Sequence, residues 1–280
     1  MLNVACATKA PLATNDVIVS ATAEPLPFNY PTTAQFEPGR AGIDADFLKQ
    51  FQQELAAAKK TASRLFPSKR KSEVSRILQS KNKKQIAEVN KINAAPIVVA
   101  KSEDFVSAIT KDQAELLHKL IQIHPITSES GTAKYDTKFR MIGYCFGRAT
   151  YVHQELLRRG VDPASIAKMF ALGGLYYKGA FWDFHVATLV KSTDGGWWAI
   201  DGLGTEVRKL DDWAKETLKL SMDPKNPTTR FYLSDAAKFH PTPGPYSEEK
   251  LYSKYYNGYF KDLSIWFQNN PLKPGESFKN

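Results

Sequence analysis

Apolar positions change their spacing several times along this chain. Up to about Gly42 they are scattered among Ala, Thr and Pro, and only Val17-Ile18-Val19 resembles a strand. Phe47, Phe51 and Leu55 then recur at helical intervals. They predict a helix capped by Asp44 or Asp46 that runs to about Leu65, where Pro67 ends it. Lys69-Arg70-Lys71 reads as an exposed linker, and Val74, Ile77, Leu78, Ile86 and Val89 predict a second helix to about Ile92. Ala95 to Ala100 reads as a strand or connector. Thr110-Lys111-Asp112-Gln113 has the form of a capping box, opening a helix through Leu116, Leu117, Leu120 and Ile121 that His124-Pro125 stops. Ser128 to Thr132 reads as a polar loop. Ala149, Val152, Leu156 and Leu157 mark another helix, starting at or beside Cys145 and closed by Gly160.

Beyond Gly160 the pattern becomes β-like. Phe184 to Val190 and Trp197 to Ile200 flank Ser192-Thr193-Asp194-Gly195-Gly196, a hairpin signal. A short helix follows Asp211-Asp212, and Arg230 to Leu233 predicts a strand. The aromatic stretch Tyr252, Tyr255, Tyr256, Tyr259, Phe260, Trp266 and Phe267 reads as packing on the sheet rather than as a substrate platform. The expected fold class is α+β, with a Cys-bearing helix packed on an antiparallel sheet. The expected division is an N-terminal segment, residues 1–101, and a catalytic domain, residues 102–280.

Composition narrows the function classes. A chain of 280 residues, 42% hydrophobic, can bury a full core, and no window approaches the 18 uninterrupted apolar residues of a membrane span. Two cysteines make no disulfide scaffold, and without CxxC or clustered Cys/His spacings no metal or cofactor is called for. The net charge of +9 is uneven: residues 41–100 hold 12 Lys/Arg against 5 Asp/Glu. That third lacks a nucleic-acid motif and aromatics for base stacking, so a solvated basic face is expected and no nucleic-acid partner. Met1 to Ala7 lacks a basic n-region and an apolar core, but Ala5-Cys6-Ala7 fits a small-x-small cleavage site. A secreted or periplasmic monomer is the expectation.

Candidate chemistry sits between Gly143 and Gly204. A helix start puts unpaired N–H groups and the positive dipole end beside Cys145, which favours a thiolate, and Arg148 adds charge one turn on. Most lone cysteines are merely buried small hydrophobes, so the thiol needs partners. Of five histidines, His118, His124 and His240 have ordinary readings. His153, eight residues after Cys145, lies about 12 Å along the helix, out of reach. His185 is set in an apolar strand, where an unpartnered imidazole is costly. A turn centred on Thr193 would put Asp201 opposite His185, with Asp183 as the competing carboxylate. A thiol, an imidazole and a carboxylate are the parts of a cysteine acyl-transfer site.

These segments resemble the bacterial protein-glutaminases (protein-glutamine deamidases), which have a papain- and transglutaminase-like core. The likeness rests on Gly143-Tyr144-Cys145-Phe146-Gly147-Arg148-Ala149, Trp182-Asp183-Phe184-His185-Val186-Ala187 and Ile200-Asp201, with spacings of 40 and 16 residues. Phe139-Arg140 and Arg230-Phe231-Tyr232 add to it. Tyr144, an extra residue before the cysteine, and the lack of the family's disulfides depart from it. The resemblance implies deamidation of glutamine side chains in proteins or peptides by Cys145, His185 and Asp201, with no cofactor or metal. Trp182 and Tyr144 become the candidate substrate-binding side chains. It also implies an inhibitory pro-region in the first hundred residues, which Lys69-Arg70-Lys71 and Lys83-Lys84 would open to trypsin-like cleavage. The same three residues also suit a cysteine protease or a transglutaminase-type acyltransferase, and an inactive papain-like binding module is the reading from another class.

Overall fold

Two twelve-residue strands, β1 (Ile166–Tyr177) and β2 (Ala180–Lys191), form the spine of the molecule, with nearly every position buried. Lys178 (φ 47°) and Gly179 (φ 86°) join them in the left-handed pair that a two-residue hairpin requires. The computed structural model describes residues 47–94, 105–136, 144–238 and 258–279. Among these, β3 (Trp197–Ile200), β4 (Arg208–Lys209) and β5 (Arg230–Asp235) complete an antiparallel sheet in the order β4-β3-β2-β1-β5. A bulge at Gly173-Gly174 shifts the β1–β2 register, so Leu172 faces Phe184 but Leu175 faces Trp182. Gly173 (φ 139°) accommodates it beside the Thr229 backbone, where a Cβ would come within 3.0 Å.

Seven α-helices surround the sheet among the described residues: α1 (Phe47–Thr61), α2 (Pro67–Ala94), α3 (Lys111–Ile123), α4 (Glu129–Ala133), α5 (Cys145–Arg158), α6 (Leu210–Lys219) and α7 (Tyr259–Asn269). The fold is therefore α+β. Almost every residue of α5 from Cys145 to Leu156 is buried, because β1 and β2, α3 and α7 all pack on it. Its one acidic side chain, Glu155, is fully enclosed and offset by Arg158 and Arg159 at 2.5 and 3.0 Å. Arg159 and Gly160 (φ 84°) end the helix as the glycine predicts. The Thr110–Gln113 capping box forms, and His124 caps the far end of α3.

Local expectations needed correction where a breaker was misread. Pro67 does not merely stop the first helix. It occupies the first position of α2, where its missing N–H is no loss, so Lys69-Arg70-Lys71 lies in a helical turn and not in a linker. Ser128 caps α4 by accepting from Gly131 N–H, so 128–132 is a short helix rather than a loop. Asp44, Asp46, Cys6, His240, Tyr252, Tyr255, Tyr256 and the segments 17–19, 95–100 and 139–143 lie outside the described residues.

The N-terminal helices share the core of the sheet. Phe47 stacks on Tyr232 (5.4 Å) and meets Phe170 (5.5 Å), and Val89 joins the same apolar cluster. Asn82 pairs with the open edge of β5 as a strand would: its Nδ2 donates to Thr229 O (3.0 Å) and its Oδ1 accepts from Phe231 N–H (2.9 Å). Arg230 donates both to Asn82 Oδ1 and to Glu54, 2.7 Å away. Trp197 Nε1 donates to Val89 O (2.9 Å). Among the described residues, no helix is long and apolar enough to cross a membrane.

Candidate active site

Cys145 is the first residue of α5 and is 4% exposed. The residue before it, Tyr144, adopts the left-handed conformation (φ 46°, ψ 24°), an uncommon one for a bulky side chain. Aromatic packing holds it there: Tyr144 stacks on Tyr259 at 4.9 Å and lies near Phe146 and Tyr135. Tyr259 in turn lies flat against Gly147, where a Cβ would come within 2.5 Å of its ring. Tyr144 is fully buried and shapes the backbone under the thiol.

His185 lies on β2, opposite Ala171 of β1. Its Nε2 is 2.6 Å from Asp201 Oδ2. The hairpin register differs from the sequence expectation by two residues. Thr188 pairs with Ile200, so the ladder would extend to Leu203, not Asp201, opposite His185. The reason is local: Gly195 (φ 89°) and Gly196 (φ 69°) lengthen the turn on its second side. A slip of two preserves which face a side chain occupies, and Asp201, one residue past β3, reaches His185 diagonally. Asp183 is exposed and makes no hydrogen bond to His185.

Asp201 gathers three donors. Oδ2 also accepts from Trp213 Nε1 (2.6 Å), and Oδ1 accepts from Leu203 N–H (3.0 Å). The His185 ring is sandwiched between Trp182 and Trp213, each 6.1 Å away and nearly parallel. Sequence reasoning assigned Trp213 no role. The apolar face it shares with Leu210, Ala214 and Thr217 predicted burial, but not which carboxylate lies beneath it.

The electrostatics follow from this enclosure. Burial pulls the His185 pKa down, but the charge and hydrogen bond of Asp201 outweigh it, with a smaller push from Cys145, and carry it up to about 10. For Asp201, burial pushes upward, and the facing His185 with its other donors holds the carboxyl below its usual range. The Cys145 thiol is within side-chain hydrogen-bonding reach of the ring. Asp201 takes Nε2, which leaves Nδ1 as the ring nitrogen open to the thiol. Such contacts tighten when a reacting group arrives.

A cavity of about 240 Å³ adjoins the group, walled by Gln122, Arg148, Tyr177, Trp182, Gly202 and Leu203 among others. Trp182 presents an indole N–H that is buried and has no partner. Arg148 is held by Thr127 O (2.8 Å) and crosses Gly202 so closely that a Cβ there would lie 2.2 Å from its Cδ. His153 is fully buried and far from the thiol's partners, its pKa held low by burial and by Lys168. His124 is neutral for a similar reason and accepts from Ile126 and Thr127 N–H through Nδ1. No group of three or more His, Cys, Asp or Glu among the described residues could hold a metal ion.

Solved structures similar to this chain are those of pro-protein-glutaminase. The crystal structure of its A47Q2 mutant is 18% identical, with a TM-score of 0.41 over 60% of this chain and 63% of that one. The crystal structure of pro-protein-glutaminase itself is 16% identical, with a TM-score of 0.40 over 69% of this chain and 70% of that one. No protein-family model matches the chain, and no curated protein sequence matches it.

Proposed function

We propose that this protein is a cysteine amide hydrolase with a papain-like site that deamidates glutamine side chains in proteins or peptides. The observation that carries the reading is the buried His185–Asp201 pair at 2.6 Å, with the thiol of Cys145 beside the other ring nitrogen at a helix start. Asp201 accepts a hydrogen bond from Nε2–H, which leaves Nδ1 to exchange a proton with the thiol. Cys145 thiolate attacks the carboxamide carbon, and backbone N–H groups at the start of α5 hold the oxyanion. Imidazolium Nδ1–H protonates the departing ammonia, leaving a thioester. The neutral ring then takes a proton from water, which attacks the thioester, releases glutamate and returns the thiol. Asp201 and Trp213 act through His185 by holding the ring in place. Trp182 offers its unpartnered indole N–H to the incoming amide.

A side-chain amide suits the enclosure better than a main-chain bond. The thiol is deeply buried, whereas cleaving a peptide bond needs room for chain on both sides. For the N-terminal third, the shared core and the Asn82 clamp support an accessory unit that braces β5 rather than a releasable pro-region. The test is ammonia release from a glutamine-rich protein such as casein, with a gel of the substrate alongside. Intact chain, trypsin-nicked chain and Cys145→Ala would be compared. The expected result is ammonia without substrate fragments, abolished in the alanine variant and not raised by nicking. Fragments without ammonia would make the protein a protease, and activation on nicking would restore the pro-region.

A further inference from the structure

The basic surplus of the chain concentrates at one place. From Leu55 to Ser72, 18 residues, there are six cations (Lys59, Lys60, Arg64, Lys69, Arg70 and Lys71) and no acidic residue. All six are exposed, and none forms an ion pair among the described residues. Arg70 is used locally, donating to Ser63 O and Leu65 O to hold the tip between α1 and α2. The lysines have no such use. Lys69 and Arg70 also stand in the first turn of a 28-residue helix with no acidic residue there, and Lys71 follows them, at the end where the dipole disfavours cations. A local rule broken without a compensating contact is characteristic of a functional surface.

Apolar surface accompanies the charge. Phe66 at the tip is 77% exposed and Leu65 is 38% exposed. Across from the tip, Met222 is 64% exposed. Met222 borders a cleft of about 510 Å³, walled by Lys59, Ser63, Arg70, Lys71 and Val74 on one side and Gly174, Met222 and Thr228 on the other. Asp223 also borders it, but its carboxylate is turned to Asn226 of its own loop. Gly174 lies on β1, and Tyr177 of the same strand walls the cavity beside His185. Those two residues, one from each space, are about 10 Å apart along the strand.

We propose that this cleft docks an acidic, apolar segment of the protein substrate, so that glutamines a few residues from such a segment are delivered to Cys145. The proposal rests on the amide-hydrolase reading of the site and names its substrate class. The lysines supply charge complementarity without fixed geometry, Phe66 and Met222 supply apolar anchors, and the shared strand sets the spacing.

The test uses the full chain and three probes. One is a peptide whose glutamine lies about five residues from an Asp/Glu-Leu-Phe segment, enough extended chain to span the gap. The second is the same peptide with its Asp and Glu replaced by Ser, and the third is a blocked glutamine dipeptide. The acidic peptide is expected to show a KM about tenfold below its uncharged counterpart. The double variant Lys69→Glu, Lys71→Glu should erase that advantage while leaving kcat and the dipeptide kinetics unchanged. Carboxylates in that turn suit the helix dipole, so the fold is not at risk, and an unchanged or raised Tm would verify it. Equal KM for both peptides in the wild type, or a variant that affects all three probes alike, would overturn the proposal. A fluorescein-labelled acidic peptide without glutamine, titrated into the chain, reads docking without chemistry. Docking lost in the double variant, with no ammonia from any substrate, would uphold the surface and sink the hydrolase reading. Tighter binding of anionic vesicles or single-stranded DNA than of the peptide would overturn the docking proposal.

Discussion

Two helices of similar length begin in opposite ways. At the start of α3, Thr110 is extended (φ −75°, ψ 169°), its hydroxyl accepts from Gln113 N–H, and Gln113 Oε1 accepts from Thr110 N–H at 2.9 Å. Both ends of a capping box are satisfied by neighbours in sequence. At the start of α5, Tyr144 is left-handed, buried and supplies no side-chain cap. A left-handed non-glycine costs about 1–2 kcal/mol, so surrounding packing must enforce it, and the rings of Tyr135, Phe146 and Tyr259 do so. One helix start is built for stability alone. The other carries strain beside a thiol, an imidazole and a carboxylate, and in the proposed mechanism the positive dipole end there serves chemistry.

The comparison breaks most sharply at the carboxylate. Asp201→Asn should lower the rate of ammonia release by about 10²–10⁴-fold, since the ring loses both its tautomer and its charge partner. Its effect on stability has a defined pH window. His185 has a raised pKa, so its contribution is complete below the usual value of 6.5 and is lost as pH rises through about 10. Asp201 has a lowered pKa, so its contribution is complete above the usual 3.8 and is lost as pH falls further. The stability gap between wild type and Asp201→Asn, measured by urea unfolding, should therefore be widest between pH 3.8 and 6.5 and narrow on either side.

Gly147→Ala sharpens the contrast from the packing side. The new methyl would meet the Tyr259 ring at 2.5 Å, so α5 and α7 must separate. A cost of about 1–3 kcal/mol is expected, together with a fall in kcat as the thiol moves from His185. The mildest change is Thr110→Ala. It should cost about 1 kcal/mol in thermal unfolding and leave kcat and KM unchanged, because the α3 cap touches nothing at the site.

Much of this molecule was legible in its sequence because the signals are local. The Thr110–Gln113 box, the stop at Gly160, the strand at Arg230 and the apolar setting of His185 each depend on residues a few positions apart. Pro67 misled because a proline can end one helix or begin the next, and only the packing of α2 on β5 discriminates. The face shared by His185 and Asp201 could be read from alternation, since an error of two residues keeps the face. Their separation could not, because two glycines of positive φ set the length of the turn. Trp213 under Asp201, Tyr259 on Tyr144 and the clamp of Asn82 on β5 join residues 12 to 149 positions apart. Periodicity determined which side chains are buried. Which of them meet was decided by tertiary packing, because contact across such distances depends on the whole core closing around them.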